Sequence, residues 1–179
     1  MALPKQKFRE LVFQLLYSKD IGDVTDKEMV PLMMNQLKVA KSAVREAQEY
    51  VKQIMVNRGA IDEKIGEHSA SYSFSRIQVI ERNIMRLAVF EMLHDPSTPE
   101  KVSISEAIRL ARKFATPESA NFINAVLDNI YKSTQGVQPE SDDITKSIEA
   151  LTKSEEAAHD AAKATPPTIE SEGDLFSEE

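Results

Sequence analysis

The sequence predicts an all-α protein, a compact bundle of about seven helices followed by a disordered acidic C-terminal tail. Three observations lead to this prediction. Residues that favour helices are abundant, whereas glycine is scarce, at 5 of 179 residues. Apolar residues recur at spacings of three and four along most of the first 132 residues, as is typical of helices with a buried face. After Lys132 this pattern gives way to a polar, acidic composition.

Four helices are predicted in the first half of the chain. The first, residues 4–19, has apolar residues on two sides, with Phe13 and Tyr17 forming the second side. Such a helix is either central in the fold or faces a partner. The second and third helices are expected to begin near Asp26 and Ser42. A short fourth helix and a serine-rich loop follow them.

Three further helices are predicted between residues 76 and 132. Residues 76–94 are apolar on every side and are predicted to form a buried central helix. The sixth helix is expected to start at a capping box, because Ser103 and Glu106 stand three apart ahead of an apolar stripe. The seventh is expected to have Thr116 as its N-cap and Pro117 at its first position.

Charge divides the chain into a body and a tail. Residues 133–179 contain 12 Asp and Glu against 3 Lys, whereas residues 1–132 contain 17 acidic and 19 basic residues. We therefore predict a helical domain over 1–132 and a separate tail over 133–179. Because the tail has too little apolar surface to offset the entropy of ordering, we expect it to be mostly disordered. A transient helix over 141–163 could carry a weak stripe of Ile144, Ile148 and Leu151.

Composition and motifs exclude several classes of protein. The chain has no cysteine, which excludes disulfides and thiolate metal sites. No apolar run reaches the roughly 18 residues of a membrane span, and the N-terminus lacks a secretion signal, so we expect a cytoplasmic location. Glycine-rich phosphate loops and hydrolase or zinc-protease motifs are absent. Two E-x-x-H pairs, Glu91 with His94 and Glu156 with His159, leave a di-iron site as an alternative, but the further inward glutamates it needs are missing.

Several basic and aromatic residues allow contact with a nucleic acid, but each also has an ordinary structural explanation. Lys5, Lys7 and Arg9 could form a solvated face at the start of the first helix. Arg112 and Lys113 could complement the dipole at the end of the sixth helix. The Phe122 ring, taken alone, is an aromatic at the edge of a core.

The segments "IERNIMRLAVFEML" and "VSISEAIRLARKFATPESANFINAVLDNI" resemble the NusB family of bacterial transcription antitermination factors. The resemblance extends from about Phe8 to Ile130 and is most specific in its C-terminal half. It implies a NusB-like all-helical domain that is not an enzyme and has no cofactor, metal, membrane contact or small-molecule substrate. It also implies three partners: single-stranded boxA-like RNA, a small-subunit ribosomal protein acting as NusE, and the RNA polymerase antitermination complex. The implied function is read-through of terminators, chiefly in ribosomal RNA operons.

The resemblance also implies roles for individual residues. RNA contacts are implied at the starts of the first and seventh helices, for Lys5, Lys7, Arg9, Tyr17, Glu118, Ser119, Phe122 and Asn124. Arg112 and Lys113 would release counterions from the RNA. Contact with the protein partner is implied for Glu81 and Glu91.

Elementary chemistry gives these RNA-binding residues their expected roles. The Phe122 ring would stack on a base, Ser119 would hydrogen-bond a base edge, and the helix N-terminus would attract a phosphate. Such a site requires the starts of the first and seventh helices to lie together. Family members are often arginine-rich at the N-terminus, whereas this chain has three basic residues before Glu10. A protein-only interaction module with weakened RNA binding is therefore the alternative function.

Overall fold

Eight α-helices and one short 3-10 turn form the described part of the chain. The structure is a computed structural model, and it describes residues 3–22, 25–138 and 141–164. The helices are α1 (Lys5–Ile21), α2 (Asp26–Leu37), α3 (Lys41–Val56), α4 (Arg58–Glu67), α5 (Val79–His94), α6 (Glu100–Phe114), α7 (Pro117–Thr134) and α8 (Ser141–Ala164), and the 3-10 turn is Phe74–Arg76. The all-α prediction and its seven predicted helices are confirmed, and α8 corresponds to the possible helix expected over 141–163.

Helix α5 is the centre of the bundle, as predicted. Every residue from Asn83 to Glu91 is buried, and the helix packs against α1, α3, α4, α6 and α7. The second apolar side of α1 faces α6, where the ring centroids of Phe13 and Phe114 lie 5.0 Å apart. The two-sided pattern of α1 therefore reflects contacts within the fold.

Three buried charges on α5 each bond a different part of the bundle. Glu81, Arg86 and Glu91 follow one another at intervals of five residues, so at about 100° per residue Arg86 points about 140° away from each glutamate, and the two glutamates point about 80° apart. The Arg86 guanidinium donates to both carboxylate oxygens of Asp62 on α4, at 2.7 and 2.8 Å, and to Asp20 on α1 at 3.0 Å. These bonds fix the end of α1 and the middle of α4 beside α5.

The other two charges reach α1, α6 and α7. Glu91 accepts hydrogen bonds from Arg9 Nε at 2.8 Å and from the Ser103 hydroxyl at 2.9 Å. Glu81 accepts a hydrogen bond from the Ser119 hydroxyl at 2.5 Å. Side chains at all five of these positions are buried, so the bundle is held by polar contacts as well as by its apolar core.

The predicted capping box at Ser103 and Glu106 is wrong. Helix α6 begins three residues earlier, at Glu100, because the preceding turn is closed by Asp95, whose carboxylate accepts hydrogen bonds from Ser97 and Thr98. Ser103 therefore lies inside the helix, where its hydroxyl bonds the buried Glu91 instead of a backbone N–H.

Within the tail, which was expected to be mostly disordered, the possible helix over 141–163 is present and docked. This segment is the helix α8, which packs against α7, and Ile144 and Leu151 are 1% and 3% exposed. The weak stripe seen in the sequence is sufficient to dock the helix because α7 supplies the opposing apolar surface. Residues 165–179 of the predicted tail lie outside the described residues.

Within the ranges that the structure describes, no helix has both the length and the apolar character of a bilayer span.

The ion pairs of Asp62 allow a matched test of the central network. We expect Arg86→Met to lower the free energy of unfolding by about 3 kcal/mol, because it leaves two partly buried carboxylates without their partner. Arg58 bonds the same Asp62 at 3.4 Å with a side chain that is 46% exposed, so Arg58→Met should change the free energy by less than about 1 kcal/mol. Urea unfolding of both variants measures the difference. Equal losses would show that burial of the Arg86 pair contributes nothing.

Candidate nucleic-acid interface

A cleft at the junction of α6 and α7 collects part of the predicted site. Its volume is about 510 Å³. The side chains that line it come from α1, from the start of α5 and from the α6–α7 junction: Tyr17, Gln78, Val79, Ile80, Glu81, Phe114, Ala115, Thr116 and Ser119. We call this space the Tyr17 cleft. It brings together Tyr17 and Ser119, two of the residues predicted to contact RNA.

The start of α7 has the predicted capping geometry. The Thr116 hydroxyl oxygen accepts a hydrogen bond from the backbone N–H of Ser119 at 3.1 Å, and Pro117 occupies the first helical position. The N-terminus of this 18-residue helix therefore opens on the Tyr17 cleft with its partial positive charge.

Glu81 is the unusual group of the cleft. It is 4% exposed, and its Oε1 accepts the Ser119 hydrogen bond. Its Oε2 has no hydrogen-bond partner among the residues that the structure describes. Burial raises the pKa of Glu81, and the bond from Ser119 offsets part of that rise. The wall of the cleft thus contains a carboxyl group that is closed off from solvent and only partly satisfied.

The predicted protein-partner roles of Glu81 and Glu91 do not fit their positions. Both side chains are 4% exposed and are bonded to other helices of the same chain. The partner role was implied by the family resemblance, which has acidic residues at these two positions, and it did not take their burial into account. Their actual partners, Ser119 for Glu81 and Arg9 for Glu91, lie 38 and 82 residues away in the chain.

Arg9 is likewise removed from the predicted RNA surface. It is 5% exposed, and its Nε lies 2.8 and 3.1 Å from the two carboxylate oxygens of Glu91. The prediction for Arg9 is wrong because a guanidinium beside a buried carboxylate is more stable paired than solvated alone. Lys5 is exposed and Lys7 is half-buried, so these two lysines remain available at the start of α1.

Phe122 is fully buried, which contradicts its predicted role as a base-stacking aromatic. Its exposed fraction is 0%, and its ring centroid lies 5.5 Å from that of Tyr72. Tyr72 comes from the serine-rich loop and covers a position that α7 alone would leave at the edge of its apolar stripe. The structural explanation of Phe122, a core aromatic, is the one that the fold supports.

The predicted contact between the starts of α1 and α7 is also absent. Lys5 lines a different cavity of about 220 Å³, with Phe8, Tyr50 and Asp95. Tyr17 lies about 18 Å further along α1, at roughly 1.5 Å per residue. The end of α1, and not its start, therefore meets the start of α7.

A strip of charged residues connects the start of α1 with the Tyr17 cleft. Helices α1 and α6 run in the same direction, and Glu10 accepts hydrogen bonds from Arg109 at 2.6 Å and from Lys113 at 2.8 Å. Although burial alone would raise it, the pKa of Glu10 is held below its usual value by these two bonds. Arg112 and Lys113 are exposed, and Glu10 offsets part of the Lys113 charge.

The remaining predicted residues lie on the sides of α7. Glu118 is half-buried in the first turn. Asn124 is exposed but does not line the Tyr17 cleft; it faces a cavity of about 380 Å³ between α7 and α8, with Asp128 and Ser147. Sequence reasoning did not identify Gln78 and Thr116 as residues that line the cleft. The sequence contained a signal for Thr116, its helix-capping pattern, but none for Gln78.

Comparison with known proteins gives a consistent family. The model described as "NusB family" matches residues 6–132. The transcription antitermination protein NusB of Chlamydia pneumoniae is 35% identical over 72% of this chain and 80% of its own length. That of Citrifermentans bemidjiense is 38% identical over 70% of this chain and 92% of its own.

Solved structures show the same similarity. NusB of T. maritima has a TM-score of 0.61 at 27% identity and covers 81% of this chain and 99% of its own. A chain in the crystal structure of antitermination factors NusB and NusE in complex with dsRNA has a TM-score of 0.62 at 26% identity. It covers 72% of this chain and 96% of its own.

The burial of Phe122 predicts an effect on stability. We expect Phe122→Ala to lower the free energy of unfolding by about 3–5 kcal/mol, because it leaves a cavity beside Tyr72. Phe122→Leu should cost less than about 1.5 kcal/mol, since it keeps most of the volume. Chemical denaturation measures both. A Phe122→Ala protein of unchanged stability would place the ring outside the core.

Glu81 predicts a pH dependence of stability. Because its pKa is raised in the folded protein, its stabilising contribution is complete below the pKa of the unfolded chain and is lost as the pH rises through the raised value. The Glu81→Gln variant should therefore gain melting temperature relative to wild type as the pH is raised from about 4 to about 8. Glu118→Gln is a control for losing a carboxylate at the same helix junction. A Glu81→Gln difference that does not change with pH would contradict the burial effect.

Proposed function

The chain belongs to the NusB family of transcription antitermination proteins, and we propose that it binds boxA-type single-stranded RNA together with a ribosomal protein acting as NusE. In this role it promotes read-through by RNA polymerase, chiefly in ribosomal RNA operons, and works in the cytoplasm by binding alone. The observation that carries the proposal is the similarity to a chain in a complex whose components are NusB, NusE and dsRNA.

The Tyr17 cleft is the proposed RNA site. Tyr17 is half-buried and lines the cleft, so its ring offers a face on which a base can stack. Gln78 is exposed and lines the same cleft, so its amide could hydrogen-bond the edge of that base. The N-terminus of α7 lies beside both groups and could receive the adjoining phosphate.

The backbone of the RNA is proposed to follow the strip between α1 and α6. Arg112 and Lys113 are exposed near the cleft, and Lys7 lies towards the start of α1. These cations would release counterions from bound phosphates. Glu10 bonds Lys113, so this electrostatic contribution is expected to be modest.

A second candidate function, a protein-only interaction module with weakened RNA binding, is supported by one observation. Arg9 pairs with Glu91 inside the fold, which leaves Lys5 and Lys7 as the described cations of the first turn of α1. If those two lysines and Arg112 attract RNA too weakly, the domain would act through its protein partner alone.

A salt titration of RNA binding tests the proposal. Fluorescence anisotropy with a boxA-like single strand, measured with and without the NusE-type protein, should show binding that falls steeply with salt and strengthens with the partner. Arg112→Gln should weaken binding about threefold to tenfold at low salt and reduce the salt slope by about one. Arg45→Gln removes an exposed arginine of α3 outside the cleft and should have little effect.

The same titration separates the two candidate functions. Partner binding without detectable RNA binding would support the protein-only module. If Arg112→Gln and Arg45→Gln weaken RNA binding equally, the strip between α1 and α6 is not the path of the RNA.

A further inference from the structure

Helix α8 lies outside the part of the chain that matches the family, yet it is docked on the domain. The family match ends at residue 132, whereas α8 spans Ser141–Ala164. Its apolar contacts are Ile144 and Leu151, both buried. The helix runs antiparallel to α7, because Ile144 and Ser147 lie beside Lys132 and Asp128, whereas Glu155 reaches the region near the α7 start.

Glu155 of α8 bonds a residue that lines the Tyr17 cleft. Its Oε1 accepts a hydrogen bond from Gln78 Nε2 at 3.3 Å, and its Oε2 accepts one from the Tyr72 hydroxyl at 3.2 Å. Gln78 is the N-cap of α5 and lines the cleft. Two hydrogen bonds from different segments therefore hold a carboxylate at the rim of the proposed RNA site.

The electrostatic effect of Glu155 extends to its neighbours. Burial and then the Glu155 charge raise the pKa of the Tyr72 phenol. The same charge adds to the burial that raises the pKa of Glu81 inside the cleft. A negative charge close enough to oppose ionisation of Glu81 is also close enough to repel a phosphate bound in the cleft.

The charges around the cleft are arranged unevenly. Residues 141–164 contain 6 Asp and Glu against 3 Lys. One cation does lie on this side: the Arg76 guanidinium is 4.9 Å from the centroid of the Tyr72 ring. On the other side, Arg112 and Lys113 are exposed on α6. The α8 side of the cleft is therefore more acidic than the α6 side.

We propose that α8 is an acidic wall of the cleft: Glu155 repels the phosphate backbone on the α7 side, lowers the affinity for RNA and directs the strand towards α1 and α6. This inference rests on the proposed RNA-binding function. In this proposal the docked helix α8 restricts the path that RNA takes across the domain. It also lowers the affinity of the domain for RNA of any sequence. The specificity gained in this way comes from repulsion and needs no added contact.

The test compares two charge-neutralising variants of α8 in the full chain. Glu155→Gln keeps a side chain that can bond Tyr72 and Gln78, so α8 should stay docked. Glu149→Gln removes an equal charge from an exposed position of the same helix. Affinities for a boxA-like single strand are measured by anisotropy at about 50 mM and about 500 mM salt.

We expect Glu155→Gln to bind the strand about twofold to fivefold more tightly than wild type at low salt, with the gain lost at high salt as the charges are screened. Glu149→Gln should bind like wild type. A third variant, Leu151→Asp, should release α8 and give at least the gain of Glu155→Gln; circular dichroism would verify that the domain is still folded.

The outcomes separate this inference from the proposed function. If the wild-type protein binds RNA, and neither Glu155→Gln nor Leu151→Asp binds it more tightly, the acidic-wall proposal is overturned. The RNA-binding proposal is then left intact. Absence of RNA binding in wild type and in all three variants would reject both.

Discussion

The bundle depends on the polar contacts of a single helix. The three buried charges of α5 each bond a different side of the fold: Glu81 the start of α7, Arg86 the end of α1 and the middle of α4, and Glu91 the start of α1 and the interior of α6. Apolar packing alone would allow several rotations of helices of this size, because it is not directional. Each buried charge is stable only when its own partner is present, so these bonds select one arrangement.

The same bonds also place the proposed site. The Ser119–Glu81 bond holds the start of α7 against α5, and the Arg86–Asp20 bond fixes the end of α1 three residues after Tyr17. The Tyr17 cleft is the space between these two attachments. Its position therefore follows from the requirement that α5 satisfy its charges.

Periodicity in the sequence predicted the helices, the burial of α5 and the cap at Thr116, because these depend on neighbours within a few residues. It failed where the partner is distant. Arg9 looks like a surface cation until Glu91, 82 residues later, is known to be beside it. Phe122 looks like an edge aromatic until Tyr72 covers it. For the tail, the average composition hid a short local stripe that needed only the opposing surface of α7 to become a docked helix.

The ion pairs of the basic residues and the acidic α8 together imply that the electrostatic attraction between this domain and RNA is small. Arg9 is paired with Glu91 inside the fold, Glu10 partly neutralises Lys113, and α8 places Glu155 beside the cleft. RNA affinity from phosphate contacts is largely independent of sequence, so each of these losses lowers binding to the wrong RNA as much as to the right one. In the proposed site, discrimination then depends on the groups that would touch bases, Tyr17 and Gln78, and further affinity would come from a second protein bound to the same strand. A domain built in this way would bind RNA firmly only as part of a complex, which is the behaviour that an antitermination factor acting with a ribosomal protein requires.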